Sequence, residues 1–411
     1  MRLAIIGGGI SGMYAAHLLA RLHEVTLFEA EAAIGGHTRT LDVQDGGESH
    51  GVDTGFIVCN DHTYPNFLRL MASLGVETQA SDMSFSVSCC RSGIEYRASS
   101  LNTLFAQRRN LLNFRFWRMI LDIARFRRAL PEMLAADEGY TLDEHLRAGG
   151  YGELFREAFL LPMGAAIWSA DPERFGEFPA AYFARFFTNH RILQLKDQPR
   201  WRTVQGGSRS YIEPLCRPFR ERIRLSAPVS RVERQSDGVL LSTPAGRERF
   251  DGVVLGVHSD QALAMLADPS PVEREVLSAI PYQPNRVVLH TDQGILPKAR
   301  RAWASWNVRV PAEQGGRVVM TYWMNNLQNL AARQQYFVTL NETAIDPTRV
   351  LDQTVLHHPV YTSSAFAAQK RRAEVNGVNR TWYCGAWWGY GFHEDGVNSA
   401  LAVAQALGVA P

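Results

Sequence analysis

The stretch RLAIIGGGISGMYAAHLLARLHEVTLFE, residues 2–29, constrains this chain more than any other. Leu3 to Ile6 is a short apolar run of the kind that forms a buried parallel strand, and Ile10 to Leu22 carries Ala15, Ala16, Leu18 and Leu19 at helical spacing. Between them Gly7, Gly9 and Gly12 stand in GxGxxG register. Each meets a separate need: the first a tight turn, the second close approach of backbone to a pyrophosphate, the third contact between helix and strand. The helix would begin at Ile10 and Ser11, turning free N–H groups and the positive end of its dipole to the phosphates. A second strand, Val25 to Phe28, ends in Glu29 and Ala30. The Glu29 carboxylate suits the two hydroxyls of an adenosine ribose and would repel a 2′-phosphate. Strand, glycines, helix, strand and acid in this order predict a dinucleotide site in a Rossmann-like α/β domain, and leave FAD and NAD as the choices.

The following residues decide between them. Directly after Glu29 comes AEAAIGGHTRT, with the pair Gly35 and Gly36 and then Arg39 and Thr40; GVDTGFIV, residues 51–58, carries Thr54, Gly55 and Phe56. Both segments resemble the flavoprotein superfamily of monoamine oxidases, protoporphyrinogen oxidases and phytoene desaturases. The resemblance implies FAD, with the glycine pair and Arg39 along its pyrophosphate and residues 51–58 beside the flavin. A guanidinium fork and a glycine pair suit that task chemically. The likeness continues in TVQGGSRSYIEPL, in IRLSAPVSRV, whose Val229 would meet the adenine, and in TWYCGAWWGYGFHEDGVNSALAVAQAL. In the last, Gly385 would reach the ribityl chain, and Gly396 and Val397 the pyrimidine side of the flavin. Over its whole length the chain is similar to a bacterial group of NAD/FAD-binding proteins related to flavin-containing amine oxidases.

The architecture this implies is α/β: a discontinuous Rossmann-like FAD-binding domain (residues 1–60, 203–280 and 378–411) with an amine oxidase-like α+β substrate domain (61–202 and 281–377). Residues 60–202 read as mainly helical, whereas 286–291, 302–308, 317–324 and 336–341 alternate like antiparallel strands. No second dinucleotide fingerprint follows, so the acceptor for the electrons is expected to be oxygen, a quinone or an electron carrier. A formal net charge of +2 gives no reason to expect nucleic acid. The five cysteines show no CxxC spacing, and the first strand leaves no residues ahead of it for a leader, so a cytoplasmic protein is expected. Cys384 reads as a small strand residue rather than a flavin attachment point, so FAD is expected to be held non-covalently.

Two departures bear on the reaction. Many amine oxidases of the superfamily carry a lysine on the strand after an IP segment, but here AIPYQPNRVVLHTD has Arg286, Val287 or Val288 in its place. An acidic residue expected after the carboxyl-terminal glycine is replaced by Ala386 and Trp387. Trp306, Tyr322, Trp323, Trp387, Trp388 and Tyr390 fall in segments expected to face the flavin or the substrate-domain sheet, with Tyr322, Trp387 and Tyr390 the candidates for a substrate pocket. The leading expectation is dehydrogenation of an apolar, acyl or isoprenoid substrate by hydride transfer to flavin N5. A hydrogen peroxide-producing amine oxidase and a non-catalytic flavin-binding protein stand as alternatives. His393 is the candidate base, with a structural hydrogen-bonding role as its other reading, and Asp395 reads as a helix cap. The histidines show no metal-ligand spacing, and no metal is expected. Finally, residues 107–130 hold seven arginines against the single Asp122. Read as one helix, Arg108, Arg115, Arg118 and Arg125 share one side and Leu112, Phe116, Met119, Ile120 and Ile123 another, which fits either an anionic membrane surface or a solvated arginine face.

Overall fold

The computed structural model describes residues 1–410 except 138, 161, 165–174, 192–196, 314–317 and 343. Strands Ile223–Arg224, Glu24–Phe28, Arg2–Ile6, Gly252–Leu255 and Thr381–Tyr383 lie in that spatial order as one parallel sheet. Such a sheet must be covered on both faces, and the alternation of its side chains does this. Leu3 and Ile5 join the core formed with helices Ile10–Leu19 and His393–Ala406. Ala4 and Ile6 pack on the other face, against a three-stranded meander formed by Arg231–Gln235, Gly238–Thr243 and Gly246–Phe250. The first helix stops at Leu19, where the predicted helix ran on to Leu22.

The second layer is a seven-stranded sheet in the order Val350–Pro359, Tyr282–His290, Phe337–Leu340, Val319–Trp323, Trp306–Val310, Phe85–Cys89 and Ile94–Arg97. It is antiparallel except where Trp306–Val310 pairs in parallel with Phe85–Cys89. Sequence reading placed these last two strands in a helical region. Alternation over four or five residues is a weak signal beside long helical neighbours. Residue 317, in the predicted strand 317–324, lies outside the described residues.

The arginine-rich segment is not one helix. Arg108–Leu112 is a 3₁₀ turn, and the α-helix runs Phe114–Leu134 with Asn113 as its N-cap, its side chain accepting from the N–H groups of Arg115 and Phe116. The helix buries Phe116, Met119, Phe126, Leu130 and Met133. Leu112, expected on the apolar side, is 87% exposed, and Arg108 lies off the helix altogether. The cap breaks the helical phase on which the single wheel depended.

Candidate functional site: a dinucleotide cradle with an aromatic wall

The carboxyl ends of the first two parallel strands open onto a cavity of about 620 Å³ that continues to the seven-stranded sheet. This is where ligands sit in open parallel sheets. Gly7 turns the chain with a φ of +104°, where a side chain would strain the backbone and its Cβ would lie 2.6 Å from the Gly256 carbonyl oxygen. A Cβ on Gly12 would lie 2.0 Å from the Gly7 oxygen, so the first helix crosses the strand at a distance that excludes any side chain. Gly9 differs: a Cβ there meets nothing within 4 Å, because it would project into free space. Gly9 is also the N-cap of the first helix, without a side chain to occupy the orphan N–H groups. Gly9, Ile10 and Ser11 all line the cavity.

Beside this turn the Glu29 carboxylate accepts hydrogen bonds from the N–H of Gly8 (2.7 Å) and of Glu31 (2.9 Å), which fixes it at the cavity edge with Ala30 and Val229. The Gly35 N–H donates to the Gly8 carbonyl (2.9 Å), so the second glycine pair docks directly on the first. Gly36, with φ at +57°, brings its backbone against Gly9. Gly55 has no room for a side chain because the His37 carbonyl oxygen would lie 2.0 Å from its Cβ, and Gly55 and Phe56 line the cavity. Gly385 lines it as well, its N–H donating to Ser399 Oγ (2.9 Å). At Gly396 a Cβ would meet Ser11 Oγ at 2.8 Å, so this glycine lets the amino terminus of the closing helix abut that of the first.

Several expected residues point elsewhere. Arg39 donates to Thr54 Oγ1 (2.9 Å) and pairs with Asp352 (3.0 Å); neither Arg39 nor Thr54 lines the cavity. Thr40 donates to the buried Asp53 carboxylate (2.6 Å), which also accepts from the N–H and Oγ of Ser208, both at 2.8 Å. Burial pushes the Asp53 carboxyl up to about 6. Val397 is in the core between helices. His393 reaches the cavity wall, but its Nε2 is shared by Thr38 Oγ1 (3.2 Å) and Tyr211 Oη (3.1 Å), and its ring stacks on Phe56 with centroids 3.7 Å apart. Burial pushes its pKa down to about 3. The hydrogen bonds to Thr38 and Tyr211 and the stack on Phe56 fit the structural hydrogen-bonding reading of His393, and burial favours its neutral form. Asp395 is not the N-cap but the third residue of the helix, where it accepts from the N–H groups of Tyr390 (2.9 Å) and Phe392 (3.0 Å).

Of the aromatic candidates, Trp306, Tyr322, Trp387 and Tyr390 line the cavity. Trp323 donates to Gln335 and Trp388 to the Tyr383 carbonyl oxygen, and both lie off the wall. Sequence reading missed a group of histidines and Tyr361. His37 and His358 meet edge to face at 5.2 Å, and His258 stacks on Tyr282 at 4.3 Å. Burial lowers His37 and His258 to about 4 and His358 to about 3. The Asn285 amide donates to His358 Nδ1 (2.8 Å), which leaves the ring proton of neutral His358 on Nε2. His258 follows the carboxyl end of a parallel strand, a position that could have marked it. His358 lies on a strand whose partner could not be read locally. Among the described residues no cluster of His, Cys, Asp or Glu could hold a metal ion, and no helix is long and apolar enough to cross a membrane.

The residues present fit an extended dinucleotide: a free helix amino terminus, a glycine whose missing Cβ leaves room for phosphate, and an acid fixed at the ribose position. Known proteins agree with this reading. The chain is 24% identical over 319 residues to the protein named as flavin-containing monoamine oxidase AofH of Mycobacterium tuberculosis; the match covers 74% of this chain and 65% of that relative, just under two thirds of its length. The fold is shared with cyclohexylamine oxidase from Brevibacterium oxydans IH-35A (TM-score 0.71, 18% identity, 99% of both chains). It is shared equally with a CLA-producing fatty acid isomerase from P. acnes (TM-score 0.70, 16% identity, 98% of both). The sequence model of the flavin containing amine oxidoreductases matches residues 10–408. The dinucleotide that this cradle serves is therefore FAD, and the chain belongs to the flavin containing amine oxidoreductase family.

Proposed function

We propose that the protein is an FAD-dependent oxidoreductase that dehydrogenates an apolar, acyl or isoprenoid lipid-like substrate. The observation that carries this reading is the cavity wall beyond the dinucleotide turn, where Trp306, Tyr322, Leu340, Tyr361, Trp387 and Tyr390 come together. Among the described lining residues the carboxylates are Glu29 and Glu31, both at the adenosine end, and no lysine or arginine lines the cavity. Such a wall gains roughly 25 cal/mol for each Å² of hydrocarbon it takes from water, and offers an ammonium group no anionic partner. Arg286 donates instead to the Glu342 carbonyl oxygen and Gln353, and Val287 and Val288 are buried away from the wall. The cradle of Gly7, Gly9 and Glu29 would hold FAD, which would supply a hydride acceptor, and oxygen, a quinone or an electron carrier would take the two electrons. The chain itself excludes water and orients. Among the described residues Trp306 Nε1 and Tyr361 Oη, both buried, have no hydrogen-bond partner, so a polar substrate group entering the cavity finds donors there. No described lining residue is a cysteine, and Cys384 is fully buried at a strand end, which supports non-covalent flavin.

Amine oxidation is the second reading, favoured by the family and by ring faces able to attract a cation. Anaerobic mixing separates the two. Acyl or isoprenoid lipids are expected to bleach the flavin absorbance while primary amines and polyamines leave it oxidised. Rapid bleaching by a simple amine, with stoichiometric hydrogen peroxide on readmitting oxygen, would overturn the proposal, and a flavin that no substrate of either class bleaches would point to a binding protein.

A further inference from the structure

The break in the arginine-rich segment produces a surface that its helical wheel hid. Phe114, Trp117 and Leu121 stand at i, i+3 and i+7 of the helix, on one face turned away from the core, at 89%, 43% and 63% exposure. The 3₁₀ turn adds Leu111 and Leu112 at 48% and 87%. Its position is held: the Trp117 indole N–H donates to the Leu111 carbonyl oxygen (2.9 Å), and the Trp117 ring packs on Phe105 at 5.2 Å. Scattered exposed apolar residues are ordinary, but five in one hydrogen-bonded ridge require a partner. The chemistry of that partner follows from what surrounds the ridge. The buried Asp122 is committed to Arg118 and Arg125, and Arg115 to Glu153. Arg108 donates to Asn102 and to the Phe105 carbonyl oxygen, and Arg109 to the Gly93 carbonyl oxygen (2.7 Å). Among the described residues no carboxylate pairs with Arg127 or Arg128, both exposed farther along the same helix.

We propose that this ridge docks the protein on an anionic phospholipid bilayer, with the five apolar side chains in the headgroup and upper acyl region and Arg127 and Arg128 on lipid phosphates. Apolar insertion edged by cations is what an interfacial bilayer contact needs, whereas a protein partner would have to match both features by shape. Docking of this kind does not depend on the substrate, since the ridge is formed by residues that are not part of the cavity wall. FAD-loaded protein is therefore to be sedimented with vesicles of phosphatidylcholine alone and of phosphatidylcholine mixed with phosphatidylglycerol. Binding is expected to the mixed vesicles and not to the neutral ones. The variant Leu112→Ser, Phe114→Ser, Leu121→Ser should bind the mixed vesicles more than about a hundredfold more weakly. Arg127→Gln, Arg128→Gln should weaken binding about thirtyfold. All five positions are exposed, so both variants should keep the wild-type thermal midpoint and flavin spectrum. Absence of wild-type binding to the mixed vesicles, or binding unchanged in the apolar variant, overturns the proposal. So does a concentration-dependent dimer in ultracentrifugation that the apolar variant abolishes, which would assign the ridge to a second copy. None of these outcomes alters the anaerobic bleaching result, so the docking proposal and the substrate proposal fail separately.

Discussion

Replacing Gly9 by alanine should separate folding from cofactor binding. Gly9 has φ −74° and ψ 176°, a conformation open to any residue, and its added Cβ meets no protein atom within 4 Å. The fold therefore loses little. Alanine at an N-cap costs up to about 1 kcal/mol relative to glycine, and reduced freedom of the unfolded chain returns about 0.4–1 kcal/mol. Apo stability should thus stay within about 1 kcal/mol of wild type, the sum of those two effects. The proposed approach of the FAD phosphates to the helix end runs through the free space beside Gly9, so FAD would meet the methyl group directly. Losing one or two hydrogen bonds to a charged group, at about 1.5–3 kcal/mol each, weakens binding between about tenfold and about twenty-thousandfold. Gly12→Ala is the control, since its Cβ would lie 2.0 Å from the Gly7 oxygen and it should unfold the apo protein at lower temperature. The assay is a fluorescence titration of apo protein with FAD beside thermal melts of the apo forms. A Gly9→Ala protein that melts normally and binds FAD with wild-type affinity would show that the pyrophosphate does not pass this turn.

Three further outcomes follow. Glu29→Ala should weaken FAD by roughly 1 to 3 kcal/mol through the lost ribose acceptor; unchanged affinity in the same titration would place the ribose elsewhere. Burial raises Asp395 from its ordinary 3.8 to about 7, so the folded form holds a proton that the unfolded form releases, and stability should fall as pH rises between those values. Asp395→Asn should flatten that part of the stability profile in thermal melts, and an unchanged profile would show that the carboxyl is not perturbed. Acid precipitation should release the yellow colour into the supernatant, whereas colour in the pellet would reveal a covalent flavin and reopen the role of Cys384.

The dinucleotide turn could be read without a structure because its requirements are local. Gly7, Gly9, Gly12 and Glu29 fall within 28 consecutive residues, and a strand, a turn and a helix place them with no help from the rest of the chain. The same locality made Gly35, Gly36 and Gly55 legible, since each is a glycine for want of space or for its backbone angle. Side chains whose direction depends on distant partners were not legible. Arg39 turns to Asp352, more than three hundred residues away in sequence, and Thr40 to a network that includes Ser208. His393 is enclosed by Thr38, Tyr211 and Phe56, and burial, which no sequence shows, lowers its pKa. The histidines and Tyr361 meet only because the seven-stranded sheet and the parallel sheet face one cavity, a matter of strand register and sheet packing. In the arginine-rich segment composition alone determined the charge. Which apolar side chains reach solvent was decided by a single cap at Asn113, which resets the helical phase and leaves the core to claim one face and expose the other.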